Sequence, residues 1–328
     1  MKDARWTDLL SRLRVGACNA EDMDLLRSLS FEHSHTDYSS QLWRSTCLIT
    51  SRNEVRRQWN EVALIQHCLL TGNVRYICVA RDVISTDATP TTAQRALLAS
   101  LPAAKTGRLE EFVSLAVGMQ VMLLCNLSTD ADLANGTRGT VDAIFLHPDE
   151  KAETIDGVCK LQYPPPMVYF RPLVPTDYSV EGVPAGVLPI VPTCTSFVLK
   201  PVSSSRNPIH ALSQGKPNPL ASGNLKVTRL QHSLTPAYAF THYKCQGQTM
   251  DSVIVDISTP PQGRLSKFAP YVALSRSRGR ETIRILRDFD TEPFLHHPST
   301  DLASFDMRLQ QADDRTHKNF DSGKYNYI

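Results

Sequence analysis

Prolines concentrate in one part of this chain and limit what that part can fold into. Twelve of the 21 prolines in the 328 residues lie between Pro164 and Pro219. Proline cannot donate to a sheet ladder or sit inside a helix, so this stretch favours loops and edge strands. Just before it, Asn135-Gly136 is a strong tight-turn signal between two strand-like runs, 117–124 and 139–145. We therefore predict a small β-rich insertion with long loops over residues 131–230.

Strand and helix patterns alternate on both sides of this stretch. On its N-terminal side we predict a buried strand, a helix that starts at a capping box of Ser51 and Glu54, and a second strand: 46–50, 51–70 and 74–80. On its C-terminal side we predict a helix, a strand, a helix and a strand: 235–245, 252–257, 268–277 and 282–286. This order is typical of an α/β fold. The predicted α/β domain comprises residues 41–130 and 231–290, interrupted by the insertion.

The two ends of the chain differ in character. Residues 1–40 begin with two short amphipathic helices, the second capped by Asn19, and we interpret them as a helical lead-in. Residues 291–328 form an acidic C-terminal tail. No run approaches the ~20 apolar residues of a membrane span, so no membrane partner is expected. The eight cysteines include no C-x-x-C pair, which favours reduced thiols in an intracellular protein and predicts no metal site.

Basic residues cluster ahead of the acidic tail. Seven bases and one acid, Glu281, lie between Arg264 and Arg287. Such a block indicates an anionic partner, for example a nucleotide or a nucleic acid, or else a solvated helix face. The charge pattern alone leaves both interpretations open.

A polar turn lies at 241–249, with the sequence Thr-His-Tyr-Lys-Cys-Gln-Gly-Gln-Thr. Gly247 allows a sharp turn and a close approach of the backbone to a ligand. The hydroxyl, ammonium and amide groups around it suit phosphate oxygens or a nucleotide sugar. The alternative is a polar helix C-terminus with a glycine cap.

A second informative stretch is Tyr-Val-Ala-Leu-Ser-Arg at 271–276. Tyr271 and Leu274 are spaced to pack on one helix face, which leaves Arg276 at the helix end. Arg276 could stabilise the negative end of the helix dipole, or it could reach a phosphate across a cleft as an arginine finger does.

These stretches resemble the motifs of a helicase family. Residues 241–249 resemble motif V, T-x-H-K-x-Q-G-x-T, although His242 and Lys244 are not the usual adjacent pair. Residues 271–276 match motif VI, Y-V-A-L-S-R, and 46–60 are loosely similar to motif IV. The segments 117–124 and 133–141 match the lead into the family's β insertion. In this order and spacing, the set resembles the C-terminal portion of a superfamily-one ATP-dependent DNA helicase of the PIF (petite integration frequency) and RecD-like group, close to Helitron-associated members.

The resemblance implies a fold and a set of roles. The fold would be a second RecA-like domain, a parallel sheet with flanking helices, interrupted by a small β-barrel insertion. ATP and Mg²⁺ would bind between two RecA-like domains, and single-stranded DNA would cross both. Family members unwind DNA 5′ to 3′ and serve DNA repair, recombination and telomere maintenance, so nuclear or mitochondrial localisation is expected. Arg276 would be the arginine finger; nucleotide contacts would come from Arg52, Gly247, Gln248 and Thr249, and DNA contacts from Asn60, Thr241, His242, Lys244 and Gln246.

One family feature has no match in these 328 residues. The phosphate loop G-x-x-x-x-G-K-[ST] does not occur, and Gly215-Lys216 is followed by Pro217. Asp149-Glu150 is the only candidate for the acidic magnesium motif, and we interpret it as a surface turn. We therefore expect the first motor domain to be absent and the chain to be inactive alone. Three hypotheses follow: a piece of a helicase motor, a non-catalytic single-stranded nucleic-acid-binding remnant of a transposon-derived helicase, or a motor half that works in trans.

Overall fold

The chain divides into two compact units. The computed structural model describes residues 3–44, 46–84, 88–101, 105–128, 133–176, 178–199, 224–261, 265–296 and 299–324. Unit one comprises Met1–Trp59 and Tyr238–Ile328, and unit two comprises Asn60–Ala237.

Unit one is built on a parallel four-stranded sheet in the order β14-β1-β15-β16. Its strands are β1 Cys47–Thr50, β14 Ala239–Phe240, β15 Val253–Asp256 and β16 Ile283–Ile285. Every residue of β1 and β15 is buried, as expected for parallel strands covered on both faces. The predicted α/β fold with a parallel sheet is confirmed.

Helices of 4 to 22 residues belong to the same unit. They are α1 Ala4–Arg14, α2 Ala20–Ser28, α3 Gln41–Arg44, α6 His242–Cys245, α7 Ala269–Leu274, α8 Glu292–Leu295 and α9 Thr300–Asp321. The 19-residue helix α4, Asn53–Thr71, begins in unit one and ends in unit two. Asn19 caps α2 in a reciprocal box with Asp22, as its sequence predicts.

The N-terminal segment belongs to unit one rather than to a separate domain. Ile285 N donates to Leu29 O at 3.0 Å, and Phe31 N donates to Ile285 O at 3.1 Å. The chain at Leu29–Phe31 thus runs beside β16 and continues the sheet. Buried Trp6 and Leu9 add to the core of the same unit. The lead-in thus packs within unit one, and its origin from a missing first motor domain stays a prediction.

Unit two contains three sheets among its described residues. Their orders are β10-β9-β6-β5-β13, β11-β12-β3 and β4-β2-β8-β7. The strands are β2 Arg75–Val79, β3 Arg81–Ile84, β4 Phe112–Leu115, β5 Gln120–Leu123, β6 Arg138–Phe145, β7 Thr154–Ile155, β8 Val158–Leu161, β9 Met167–Pro172, β10 Leu188–Ile190, β11 Thr193–Leu199, β12 Leu225–Gln231 and β13 Leu234–Pro236. The helix α5, Thr92–Ala99, lies between β3 and β4.

The turn predicted at Asn135-Gly136 is present, whereas the β-barrel insertion stays a prediction. Strands β5 and β6 pair antiparallel, and Gly136 in their connection has a φ of 102°. Pro189 lies in β10, an edge strand that pairs only with β9 among the described strands. Four of the clustered prolines, at 201, 208, 217 and 219, lie outside the described residues.

Three predictions about the local structure are wrong. The strand β2 forms, but it pairs with β4 and β8 in unit two, so the compact unit changes near residue 60 instead of 131. The predicted helix 235–245 is mostly extended, because the short buried run there pairs with neighbouring strands; only 242–245 is helical. The box at Ser51 and Glu54 is absent: α4 begins at Asn53, and Glu54 pairs with Arg57 at 2.7 Å.

The predicted acidic tail is largely helical. After the buried Phe294 of α8, Ser299 caps α9 by accepting from Leu302 N at 3.4 Å. Asp306 of α9 pairs with Arg14 of α1 at 3.0 Å, within unit one. No helix in the described part of the chain is long and apolar enough to cross a membrane.

We expect unit two to lose stability in mild acid because of His232. This side chain is fully buried, and its Nε2–H donates to Pro165 O at 2.8 Å. Burial lowers the pKa of His232 from 6.5 to about 4. The unfolded chain therefore binds the proton first, and the stability present above pH 6.5 declines as the pH falls to 4, by roughly 3 kcal/mol in total.

Hydrogen exchange of the β12 backbone amides at pH 7, 5 and 4 tests this expectation. Their protection should fall with pH in the parent and fall less in the non-titrating variant His232→Gln. Equal protection of the parent at pH 7 and pH 4, after correction for intrinsic exchange, would contradict it.

Candidate functional site: the carboxyl edge of the parallel sheet

The four parallel strands of unit one deliver polar residues to one edge. Thr241 follows β14, Arg52 follows β1, Ser258 follows β15 and Arg287 follows β16. The carboxyl ends of parallel strands lie on the same side of a sheet, and open α/β sheets bind their ligands there. Thr241 and Arg52, two of the predicted site residues, therefore lie at the edge where a ligand is expected.

Asp256 is the centre of a charged cluster at this edge. Its side chain is fully buried, and it lies 3.8 Å from Arg52 Nε and 3.4 Å from Arg287 Nε. Thr50 Oγ1 and Ser258 Oγ donate to its two oxygens at 3.1 and 2.6 Å. Arg52 Nη2 in turn donates to Ser258 Oγ at 2.9 Å. One carboxylate thus fixes two guanidinium groups.

The cluster suits a phosphate group. Two arginines share one carboxylate, which leaves a net positive charge. The Nε atoms of Arg52 and Arg287 are buried and have no hydrogen-bond partner among the described residues. Guanidinium groups held in place this way match phosphate oxygens. The prediction named Arg52 but missed Asp256, Ser258 and Arg287; the signal for Asp256 was a lone acid ending the buried strand Val253–Asp256.

The motif V segment begins directly after β14. Thr241 is the N-cap of α6, and Gly247 has a φ of 78° just beyond its end. The glycine-cap interpretation is therefore correct for the backbone, and the space beside Gly247 is also open. Gln246 and Thr249 are exposed at this turn. The segment can thus present its polar groups to a ligand.

His242 and Tyr243 differ in what their side chains can contribute to ligand binding. Burial lowers the pKa of His242 and so disfavours a positive charge on its imidazole. Tyr243 is 74% exposed, and its ring lies 4.6 Å from that of His242. Lys244 is then the cation of this segment.

Arg276 joins the two motifs. Its Nη1 donates to Gln248 O at 2.9 Å and to Cys245 O at 3.4 Å, while Nε donates to Val272 O at 2.8 Å. Nη2 donates to Ser275 Oγ at 2.7 Å. The guanidinium therefore caps its own helix, α7, and also holds the backbone of the motif V turn. Both interpretations of Arg276 stay open, because one of its five N–H groups has no hydrogen-bond partner among the described residues.

Much of the basic block is engaged within unit one. Arg280 donates to Asp3 at 2.8 Å and so lowers the pKa of Asp3 to about 2. The guanidinium of Arg284 lies over the Trp43 ring at 5.0 Å. Arg264 lies outside the described residues. Neither of the two interpretations, an anion-binding surface or a solvated helix face, therefore describes the entire basic block.

The structure also describes Asn60 and the Asp149-Glu150 turn, which two further predictions concern. Asn60 is 4% exposed on α4 and lies in unit two, and its contact with DNA stays a prediction. Asp149 and Glu150 form a surface turn, as interpreted, and Glu150 accepts from Gln162 N and Tyr163 N at 2.9 Å. Among the described residues, no group of three His, Cys, Asp or Glu side chains could hold a metal ion.

The parallel sheet with polar and charged residues at its carboxyl edge is consistent with the predicted RecA-like fold. Comparison with known proteins agrees: the family described as "DNA helicase Pif1, 2B domain" matches residues 109–144. The curated "ATP-dependent DNA helicase PIF1" of Emericella nidulans is 34% identical over 95 residues, which are 29% of this chain and 12% of that protein.

Solved structures give the same relationship. The Pif1 helicase from Candida albicans superposes with a TM-score of 0.58 at 18% identity, covering 94% of this chain and 58% of that one. The Bacteroides Pif1 helicase in complex with ADP-AlF3 and ssDNA gives 0.55 at 19% identity, covering 94% of this chain and 54% of that one. The chain is thus similar to Pif1 helicases in sequence over part of its length and in fold over most of it. It spans little more than half of these structures and about an eighth of the curated relative.

Proposed function

We propose that this chain provides the C-terminal motor half of an ATP-dependent 5′-3′ DNA helicase that serves genome maintenance. The observation that carries the proposal is the contact of Arg276 with the carbonyls of Cys245 and Gln248. One side chain thereby connects the motif VI helix to the motif V turn. A phosphate that attracts Arg276 would pull on the same turn that carries Lys244.

The residues at the carboxyl edge fit a nucleotide. Arg52, Arg276 and the open turn of Gly247, Gln248 and Thr249 would contact it, with Arg287 as an additional cation. When bound, Mg²⁺ neutralises phosphate charge; its ligands would come from a phosphate-loop domain, in cis or in trans. The chain's own residues stabilise charge that develops on the phosphoryl oxygens. By itself the chain would hydrolyse no ATP.

The proposed DNA contacts lie on the motif V turn. Lys244, Gln246 and Thr241 would bind backbone phosphates, and the exposed ring of Tyr243 would stack on a base. The related Bacteroides structure contains single-stranded DNA, which supports this choice of partner. Localisation in the nucleus or in mitochondria stays a prediction.

Lys244→Ala is expected to weaken binding of the chain to single-stranded DNA about tenfold, because a charge-assisted phosphate contact is lost. Fluorescence anisotropy with labelled oligonucleotides at 50 and 200 mM salt measures the affinity. The slope of log affinity against log salt should become shallower by about 0.7, the value for one phosphate.

Lys318→Ala is the matched control, since Lys318 is an exposed lysine of α9 in the same unit. The control should bind as the parent does. Salt-insensitive binding, strong sequence selectivity or an equal loss in both variants would refute the motif V assignment.

A further inference from the structure

The C-terminal helix α9 buries little of its surface. It has 22 residues, Thr300–Asp321, and is therefore about 33 Å long. The helix α1 has half as many residues and buries Trp6, Leu9 and Leu13, whereas none of the described side chains of α9 is buried. Helices in proteins gain most of their stability by packing an apolar face. A long helix with an uncovered face is therefore a candidate for packing against a partner.

The apolar residues of α9 recur at alternating spacings of three and four residues. Taken as positions a and d of successive heptads, these residues are Leu302, Phe305, Leu309, Ala312, Thr316 and Asn319. This spacing places them along one seam of the helix, as in a coiled coil. The side chains of Phe305 and Leu309 are 49% and 51% exposed. Because the last heptad carries polar residues at both positions, we expect a weak association over this seam.

The charges beside the seam select the partner and its direction. Position e carries Asp306 and Asp313, and position g carries Arg308 and Arg315. In a parallel pair of helices, residue g of one helix faces residue e of the next heptad in the other, so Arg308 meets Asp313 of a second copy. An antiparallel pair would place arginine opposite arginine and aspartate opposite aspartate. In the parallel register Arg315 lies beside the 69% exposed ring of Phe320, a favourable cation–π contact.

The first turns of α9 are held on unit one. Arg14 of α1 pairs with Asp306 at 3.0 Å. Asp306 is therefore engaged within its own chain, and this pairing offsets the repulsion that Asp301, at position g, would exert on it in a parallel pair. The complementary charges thus begin beyond the part of α9 that contacts unit one.

We propose that α9 forms a parallel, two-stranded coiled coil with α9 of a second copy of this chain. The alternative is a solvated helix stabilised by pairs within itself, for which Gln310–Asp314 at 3.0 Å and Asp313–His317 at 3.8 Å are the candidates. That alternative predicts a monomer. The proposal uses none of the residues at the carboxyl edge of the parallel sheet, so it stands or falls independently of the proposed motor function.

Sedimentation velocity of the full chain, without nucleic acid or nucleotide, measures the association. Over protein concentrations from about 1 to about 200 μM, the mean mass should rise from 36.5 kDa toward twice that value. Leu309→Glu places a charge in the seam of both copies and should weaken the association about a hundredfold. Met307→Glu is the matched control, because Met307 is 61% exposed at position f, away from the seam. That variant should associate as the parent does.

A charge exchange tests the parallel register. Arg308→Asp and Asp313→Arg each place like charges opposite one another, so each variant alone should associate about tenfold more weakly than the parent. Mixing the two variants should restore the association, because each copy then offers the charge that the other lacks. Carrying both changes in one chain should restore it as well in a parallel pair.

The outcomes decide between the coiled coil and the solvated helix. Association that Leu309→Glu abolishes, that Met307→Glu retains and that mixing of the charge variants restores supports the proposal. A mass that stays at 36.5 kDa over the whole concentration range overturns it. An equal loss in Leu309→Glu and Met307→Glu, or association of both charge variants with the affinity of the parent, overturns it too.

Discussion

Replacing Arg276 with alanine is expected to lower ATP turnover by roughly 10³–10⁵-fold when the chain is joined to a matching phosphate-loop domain. Hydrolysis places charge on the phosphoryl oxygens, and a preorganised guanidinium stabilises that charge more than it stabilises bound ATP. Its bonds to Val272 O, Gln248 O and Ser275 Oγ provide the preorganisation. Arg276→Lys should rescue little, because lysine keeps the charge but loses the planar fork.

Two measurements distinguish an arginine finger, which stabilises charge on the phosphate, from an arginine that only holds the motif V turn in place. Arg278→Ala, an exposed arginine two residues away, should keep turnover within a few-fold of the parent. If Arg276 only holds the motif V turn, Arg276→Ala should lose turnover and DNA affinity by the same factor. If both Arg276 variants fold and hydrolyse ATP within a few-fold of the parent, the motif VI assignment is wrong.

Asp256→Ala is expected to destabilise unit one by about 3 kcal/mol, the low end for breaking a buried ion pair. The change leaves Arg52 and Arg287 without their shared counter-ion and removes the acceptor for two hydroxyls. We expect a loss of stability at the low end of this range because the Arg287 side chain is 41% exposed, so water can solvate its charge when Asp256 is removed. For a domain of this size the midpoint of thermal unfolding should fall by roughly 6–12 °C.

Tryptophan fluorescence measures this loss selectively, since Trp6, Trp43 and Trp59 all belong to unit one. The control is Asp288→Ala, whose side chain is 80% exposed and lies 3.9 Å from Arg27. That variant should change stability by less than about 0.5 kcal/mol. An unfolding midpoint for Asp256→Ala that equals that of the control would show that the cluster contributes nothing to the fold.

The parallel sheet was predictable because its strands carry a local signal. Short apolar runs at 47–50 and 253–256 are bounded by polar residues, and the helix of motif VI follows its own spacing. The turn at Asn135-Gly136 was likewise predictable from a short stretch of sequence. Each of these elements could be derived from a window of about ten residues.

The division into units could not be derived in this way. The strand β2 looks like a second strand of the α/β domain, yet it pairs in parallel with β8, about 80 residues further along. Nothing in the local sequence of 75–79 distinguishes the two sheets. Similarly, the buried run around Ala239 suits a helix or a strand, and its pairing with Leu48 decides between them.

The residues of the candidate site were predicted one motif at a time. The ion pairs between its charged side chains were not predicted. Arg52 and Arg276 follow from motif resemblance, but their partners depend on distant strands. Asp256 meets Arg52 only because β15 lies beside β1, and Arg287 joins them because β16 lies on the other side of β15. The charge pattern along the chain left an anion-binding surface and a solvated helix face both open, whereas Arg280 and Arg284 are engaged in contacts within the unit.

ATP hydrolysis in the presence of single-stranded DNA tests the central claim most directly. The chain, a matching phosphate-loop domain and a mixture or fusion of the two would be assayed side by side with Mg²⁺. The account predicts no turnover by the chain, little by the other domain, and DNA-stimulated turnover when both are present. Turnover by the chain alone that Arg276→Ala abolishes, or no turnover by a fusion that folds and binds DNA, would contradict the assignment of this chain as a motor half.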